Sequence, residues 1–201
     1  MPGSNGDCEP YTAPKLRGDE RTAKILVAGH LAAGKTTLVG AVSDITPLRT
    51  EEEMTSAGTG TDHTLLRDKT TTTVAMDFGR ISLDDDLVLY VFGAPGQPRF
   101  FPFLTDLAYG ALGALVLLDD RCLAETYPIV DMIENLGLPY VVAVNAFDGS
   151  LGTTLERLRE VMLLEPGTPI LRCDARDPHS ATNALVTLTQ HVLTPDPEPS
   201  R

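Results

Sequence analysis

The octapeptide Gly29-His30-Leu31-Ala32-Ala33-Gly34-Lys35-Thr36 constrains this chain more than any other stretch. It has the form G-x-x-x-x-G-K-T. It lies between an apolar run, Lys24-Ile25-Leu26-Val27-Ala28, and a helical pattern from Lys35 to Ser43. A strand, a Gly-rich turn and a helix in that order aim several backbone N–H groups at one point. The helix dipole adds partial positive charge there, so the turn is a cradle for a polyphosphate. In such a cradle Lys35 reaches the β- and γ-phosphates, and the Thr36 hydroxyl ligates Mg²⁺. Gly29 to Thr37 are therefore the first nucleotide-binding candidates, and Lys35 is also a catalytic one.

The rest of the chain agrees with an α/β fold. Strands are expected at 24–29, 72–82, 87–92, 112–118, 140–145 and 169–172. Helices are expected at 35–43, within 93–109, and at 123–136, 153–164 and 179–193. The stretch 44–70 has no strong periodicity. Asp84-Asp85-Asp86 joins the second and third strands so tightly that they must run antiparallel. Most strands are near-continuously apolar, as when helices cover both faces. The expectation is a six-stranded, mostly parallel sheet with one antiparallel edge strand, with helices on both faces. The Pro-, Gly- and charge-rich ends, 1–22 and 194–201, read as disordered tails around one domain at 23–193.

Charge narrows the function. A formal net charge of −12 argues against a nucleic-acid partner and against electrostatic docking on an anionic membrane. The acidic run Glu51-Glu52-Glu53 reads as a solvated loop. Cys8, Cys122 and Cys173 are odd in number and far apart, which suits reduced thiols in the cytoplasm. No apolar run is long enough to span a membrane, and neither a signal peptide nor a lipidation box is expected from the residues given.

Four segments fall at the carboxyl ends of successive strands, where such sheets bind ligands. Lys69-Thr70-Thr71-Thr72-Thr73 enters the second strand. Thr73 is the candidate whose hydroxyl senses Mg²⁺ and the γ-phosphate. Ala94-Pro95-Gly96-Gln97 follows the third strand; the Gly96 amide suits the γ-phosphate, and Gln97 suits the attacking water. The cluster Phe100, Phe101 and Phe103 comes next, as core or as a partner surface. Asn145-Ala146-Phe147-Asp148 follows the fifth strand. A carboxylate at Asp148 can accept from guanine N1–H and N2–H₂ together, a pair that adenine does not offer. Cys173-Asp174-Ala175-Arg176 follows the sixth strand; it offers a backbone N–H to the base oxygen and a long side chain over the ring.

In order and number these motifs resemble those of the Ras-like small GTPases, across 24–193. The style GxxxAGKTT, TTTVAMDFGR, FGxPGQ and VAVNxFD resembles bacterial gliding-motility (MglA-like) relatives. It is most similar to the conservon-type D GTPases of actinobacteria. The resemblance implies a GTP/GDP switch with Mg²⁺ and slow hydrolysis. It also implies a roadblock/LC7-domain partner and a place beside a membrane sensor kinase, peripheral to the inner face of the membrane. The chain departs from the Ras pattern at several points. Gly93 stands where a Mg²⁺-holding Asp ends the third strand; Asp119 or Asp120 could help, although helix capping is the readier role for both. Ala146 replaces the lysine whose stem covers the base, leaving that to Phe147 or Arg176. Leu31 brings bulk near the γ-phosphate. No arginine directly precedes Thr73, and Arg67 and Arg99 read as surface charges more readily than as substitutes for it. These departures lead to a sluggish enzyme, with a nucleotide-dependent scaffold of negligible turnover as the alternative.

Overall fold

The computed structural model describes residues 20–54, 72–84 and 86–194. Cys8, Arg67, Thr70 and Thr71 lie outside them, as do nearly all residues of the two expected tails. The strands are β1 (Arg21–Ala28), β2 (Leu48–Met54), β3 (Thr72–Asp84), β4 (Leu87–Gly93), β5 (Gly113–Leu118), β6 (Tyr140–Asn145) and β7 (Ile170–Cys173). They form one sheet in the order β2-β3-β4-β1-β5-β6-β7. The helices are α1 (Lys35–Val42), α2 (Phe101–Ala108), α3 (Leu123–Asn135), α4 (Leu155–Val161) and α5 (Pro178–Leu193).

The alternation of strands and helices predicts this α/β architecture, and the sheet adds one strand. β1 is parallel to β4 and β5, and β5, β6 and β7 continue in parallel. β3 runs antiparallel to β4, and β2 pairs antiparallel with the outer edge of β3. The run Glu51-Glu52-Glu53 therefore belongs to β2 and not to a loop. Its sequence, Leu-Arg-Thr-Glu-Glu-Glu-Met, carries no apolar alternation, so the unpaired ladder of β3 decides its conformation. Charge on an edge strand is a common guard against pairing with another chain.

β1 shows how the sheet is held. Ile25 and Val27 face the core under α1 and α5, while Leu26 and Ala28 face the core under α2, α3 and α4. All four are at most 2 % exposed, so β1 is sandwiched on both faces. Ile25, Leu26 and Val27 each contribute roughly 1.5–3 kcal/mol on burial. This rigid central strand delivers the Gly29 turn to the end of the sheet. Phe100 is buried beneath the site, and Phe101 and Phe103 pack on the second core, so core packing accounts for the aromatic cluster. Among the described residues no helix is long and apolar enough to cross a membrane.

Candidate nucleotide-binding site

The turn from Gly29 to Gly34 leaves β1 and enters α1 without a side-chain cap. The first-turn N–H groups of α1 thus have no competing side-chain acceptor at the cap. Gly34, at φ 99°, needs left-handed backbone, and a Cβ there would collide with the Asn145 amide. Ala32 adopts φ 64°, so the turn reverses twice within six residues.

Lys35 lies back along the turn and is buried. Its Nζ donates to the carbonyl of Gly29 at 2.9 Å and to that of His30 at 2.6 Å. One of its three N–H donors is left for a phosphate. Burial pushes its ammonium down to about 8, while the Asp77 carboxylate pulls the other way. A bound triphosphate would reverse that shift, because its charge favours the ammonium.

Asp77 is the site residue that sequence reasoning missed. It sits in β3 directly across from Gly93 of β4. A Cβ on Gly93 would lie 3.1 Å from the Asp77 Cβ and 3.2 Å from its Oδ2. The carboxylate absent from the end of β4 is thus supplied by its neighbour strand, into nearly the same space. Thr36 Oγ1 donates to Asp77 Oδ2. A hydroxyl and one carboxylate, beside an open phosphate cradle, suit Mg²⁺. That ion keeps several waters and is usually held by one or two carboxylates plus the substrate's phosphates. Thr36 and Asp77 are the residues that would hold it.

Asp119 and Asp120 are committed elsewhere. Asp119 accepts from Arg121 Nε at 2.8 Å and Nη2 at 2.7 Å, and it lies 3.8 Å from His30 Nε2. The hydrogen bonds from Arg121 hold its carboxyl below the ordinary range. Asp120 accepts from Ser150 Oγ at 2.7 Å and from the Leu151 N–H at 3.3 Å. The expectation that either substitutes for a Mg²⁺ carboxylate gives way to Asp77. Thr73 lies within β3, opposite Glu53; its side chain is outside what the structure describes.

Pro95, Gly96 and Gln97 close over the turn. A Cβ on Gly96 would lie 2.5 Å from the His30 carbonyl carbon and 2.6 Å from both Gly29 O and Leu31 N. Only a bare glycine permits two backbones to approach this closely. A cavity of about 490 Å³ opens here, and Lys35, Thr36, Asp77, Gly96, Gln97 and Arg99 are among its lining residues. Leu31 is on its rim and 62 % exposed. Arg99 rests on the Phe100 ring at 4.8 Å.

The end expected to take the base is assembled from the loops after β6 and β7. Asn145 is buried; its Nδ2 donates to Ala33 O at 3.0 Å, and its Oδ1 accepts from the Ala175 N–H at 3.0 Å. One side chain thus ties the phosphate loop to the loop after β7. Asp148 is fully exposed, 4.0 Å from Arg176. The loop after β7 is internally bonded: Asp174 N–H donates to Ser180 Oγ, Ala175 N–H to Asn145, and Arg176 N–H to Asp174 Oδ1. The backbone N–H expected there for a base oxygen already has a protein acceptor. The Arg176 side chain folds onto Asp174 at 2.9 and 3.0 Å, and these bonds lower the carboxyl of Asp174.

A Gly-rich turn at the carboxyl end of the central strand, a buried lysine and a Thr–Asp pair define a P-loop nucleotide-binding protein. Residues 27–195 match the family model of conserved hypothetical ATP-binding proteins, and the chain belongs to that family. This overturns the resemblance to Ras-like and gliding-motility GTPases. The GxxxxGKT loop is shared by P-loop folds in general, and loop motifs of a few residues do not separate one lineage from another. The roadblock/LC7 and sensor-kinase partners rested on that resemblance and lose their support with it. No curated protein matches the chain.

Proposed function

We propose that this protein is a Mg²⁺-dependent nucleoside triphosphatase that turns over slowly and works as a switch, with GTP preferred to ATP. The observation that carries the proposal is the contact of Gly96 with the phosphate loop, at the cavity lined by Lys35, Thr36, Asp77 and Gln97. A segment this close to the γ-phosphate position responds to whether that phosphate is present.

Hydrolysis needs little covalent chemistry from the protein. Water attacks the γ-phosphorus, the bond to the β–γ bridging oxygen breaks, and the proton of the water passes to the phosphate products. Gln97 orients the water, and Lys35 neutralises charge on the β- and γ-oxygens. Mg²⁺, when bound, adds further neutralisation of that charge. Leu31 lines the same cavity as Gln97, and its bulk there supports the reading of slow turnover.

The guanine preference is supported by Asp148, whose exposed carboxylate follows the Asn145 tie at the end of β6. ATP is the second reading, favoured by the description of the family. Single-turnover assays with GTP and with ATP decide between them, together with chromatography of the nucleotide carried by the purified protein. The Gln97→Ala variant is expected to lose about tenfold or more in turnover. Turnover that is negligible in the wild type and unchanged in that variant would establish a scaffold in place of an enzyme, and bound ATP would end the guanine assignment.

A further inference from the structure

Asp119, Arg121 and Phe147 form a cluster that the hydrolytic reading leaves unused. The Arg121 guanidinium lies 4.1 Å from the centroid of the Phe147 ring. Two of its nitrogens meet the Asp119 carboxylate, at 2.8 and 2.7 Å. A third, Nη1, donates to the backbone carbonyl of Asp148 at 3.2 Å. The Asp119 side chain is only 3 % exposed, so the anchor of this assembly is buried at the end of β5.

From this geometry we infer that Arg121 is the positioning residue of the base-binding loop, Asn145 to Asp148. The inference rests on the nucleotide-binding reading of that loop, though not on which purine occupies it. Ala146 has no side chain that covers a base or fastens the loop. Beyond Asn145, the loop carries an exposed aspartate and a half-buried ring, neither held by its own strand. Arg121 holds both: its guanidinium lies over the Phe147 ring, and its Nη1 donates to the Asp148 carbonyl. A guanidinium does this better than an ammonium, because it is flat, weakly hydrated and bidentate. The fork itself, Nε and Nη2, is fixed by Asp119, whose other neighbour is His30 of the phosphate loop. The loop is therefore set in place before a nucleotide arrives, which lowers the ordering cost of binding.

The test uses competition binding by GTP, ATP and tripolyphosphate, which has no base. Wild type, Arg121→Ala, Phe147→Leu and the double variant are compared. Arg121→Ala is expected to weaken the preferred nucleotide about tenfold. Tripolyphosphate binding should stay within about twofold, since the cradle from Gly29 to Thr36 is unchanged; this also shows that the variant is folded. Phe147→Leu should give part of that loss, and the double variant little more than Arg121→Ala alone, because both remove the contact of the guanidinium with the ring. The inference is overturned if Arg121→Ala keeps the wild-type ratio of nucleotide to tripolyphosphate affinity. It is equally overturned if tripolyphosphate binding falls in parallel, or if the two losses add. A preference for ATP would end the guanine reading and leave this one standing. A wild-type protein that binds no nucleotide ends both.

Discussion

Asp77→Asn separates a carboxylate that holds a metal from one that merely fills space. Asp77 is buried, its Oδ2 accepts from Thr36 Oγ1, and it occupies the space beside Gly93. The amide of the variant has the same shape and can still accept from Thr36, so the fold is expected to survive. What changes is one negative charge. Loss of a partner that orients a metal typically costs 10- to 100-fold in affinity, or about 1.4–2.7 kcal/mol. Without Mg²⁺ the sign reverses. The Asp77 carboxylate then faces the triphosphate unshielded, and two unit charges ~6 Å apart at an effective dielectric of ~20 repel by about 3 kcal/mol. Asp77 also supports the Lys35 ammonium, which offsets part of that relief. Titrating a fluorescent GTP analogue with excess Mg²⁺ and again with EDTA reads both arms. Wild type should bind much more tightly with Mg²⁺. The variant should lose most of that gain and match or exceed wild type in EDTA. A variant that keeps the wild-type Mg²⁺ stimulation within about twofold would refute the assignment of the carboxylate.

Other substitutions and conditions give equally direct readings. Gly96→Ala places a methyl against backbone atoms of Gly29, His30 and Leu31 that cannot swing aside. It should destabilise the protein by about 1–3 kcal/mol and displace the Gln97 segment, and thermal melts with single-turnover assays check both. Nucleotide binding should take up a proton above pH 8, because the free Lys35 ammonium titrates near 8 and the bound phosphates favour its charged form. Affinity then falls as pH rises through that value, by up to about tenfold per pH step above it; calorimetry in buffers of different ionisation enthalpy measures the uptake. For folding the sign is opposite. The native protein binds fewer protons than the unfolded chain between about 8 and 10.5, so this lysine alone makes stability rise with pH across that window. Denaturant melts at pH 8 and 10, compared with those of Lys35→Met, test this.

Much of the scaffold was legible in local pattern. β1, β5 and β6 are apolar on both faces because helices cover both, and that shows as unbroken hydrophobic runs. The phosphate loop was legible because its function resides in its own backbone. β2 was not legible. Its residues have no strand pattern, and it exists because β3 offers a free edge. Nor was lineage legible: the loop motifs pointed to Ras-like proteins, while the match over 27–195 lies elsewhere.

The division is sharpest at the metal position. Taken alone, the amino-acid sequence shows that Gly93 carries no carboxylate and that Thr36 carries a hydroxyl. It did not determine what faces them. The tight turn pairs Asp84 with Leu87, and an unbroken ladder from there would set Phe78 opposite Gly93. A bulge between Ser82 and Asp84 moves the register by one residue and brings Asp77 there instead. A slip of one residue turns every side chain to the other face of a sheet. With it, Asp77 faces Thr36, and Phe78 packs with Tyr90 and Phe92. A single extra residue in a strand leaves no mark in composition or periodicity. Only the assembled sheet, with α1 packed over it, decides that this aspartate belongs to the site.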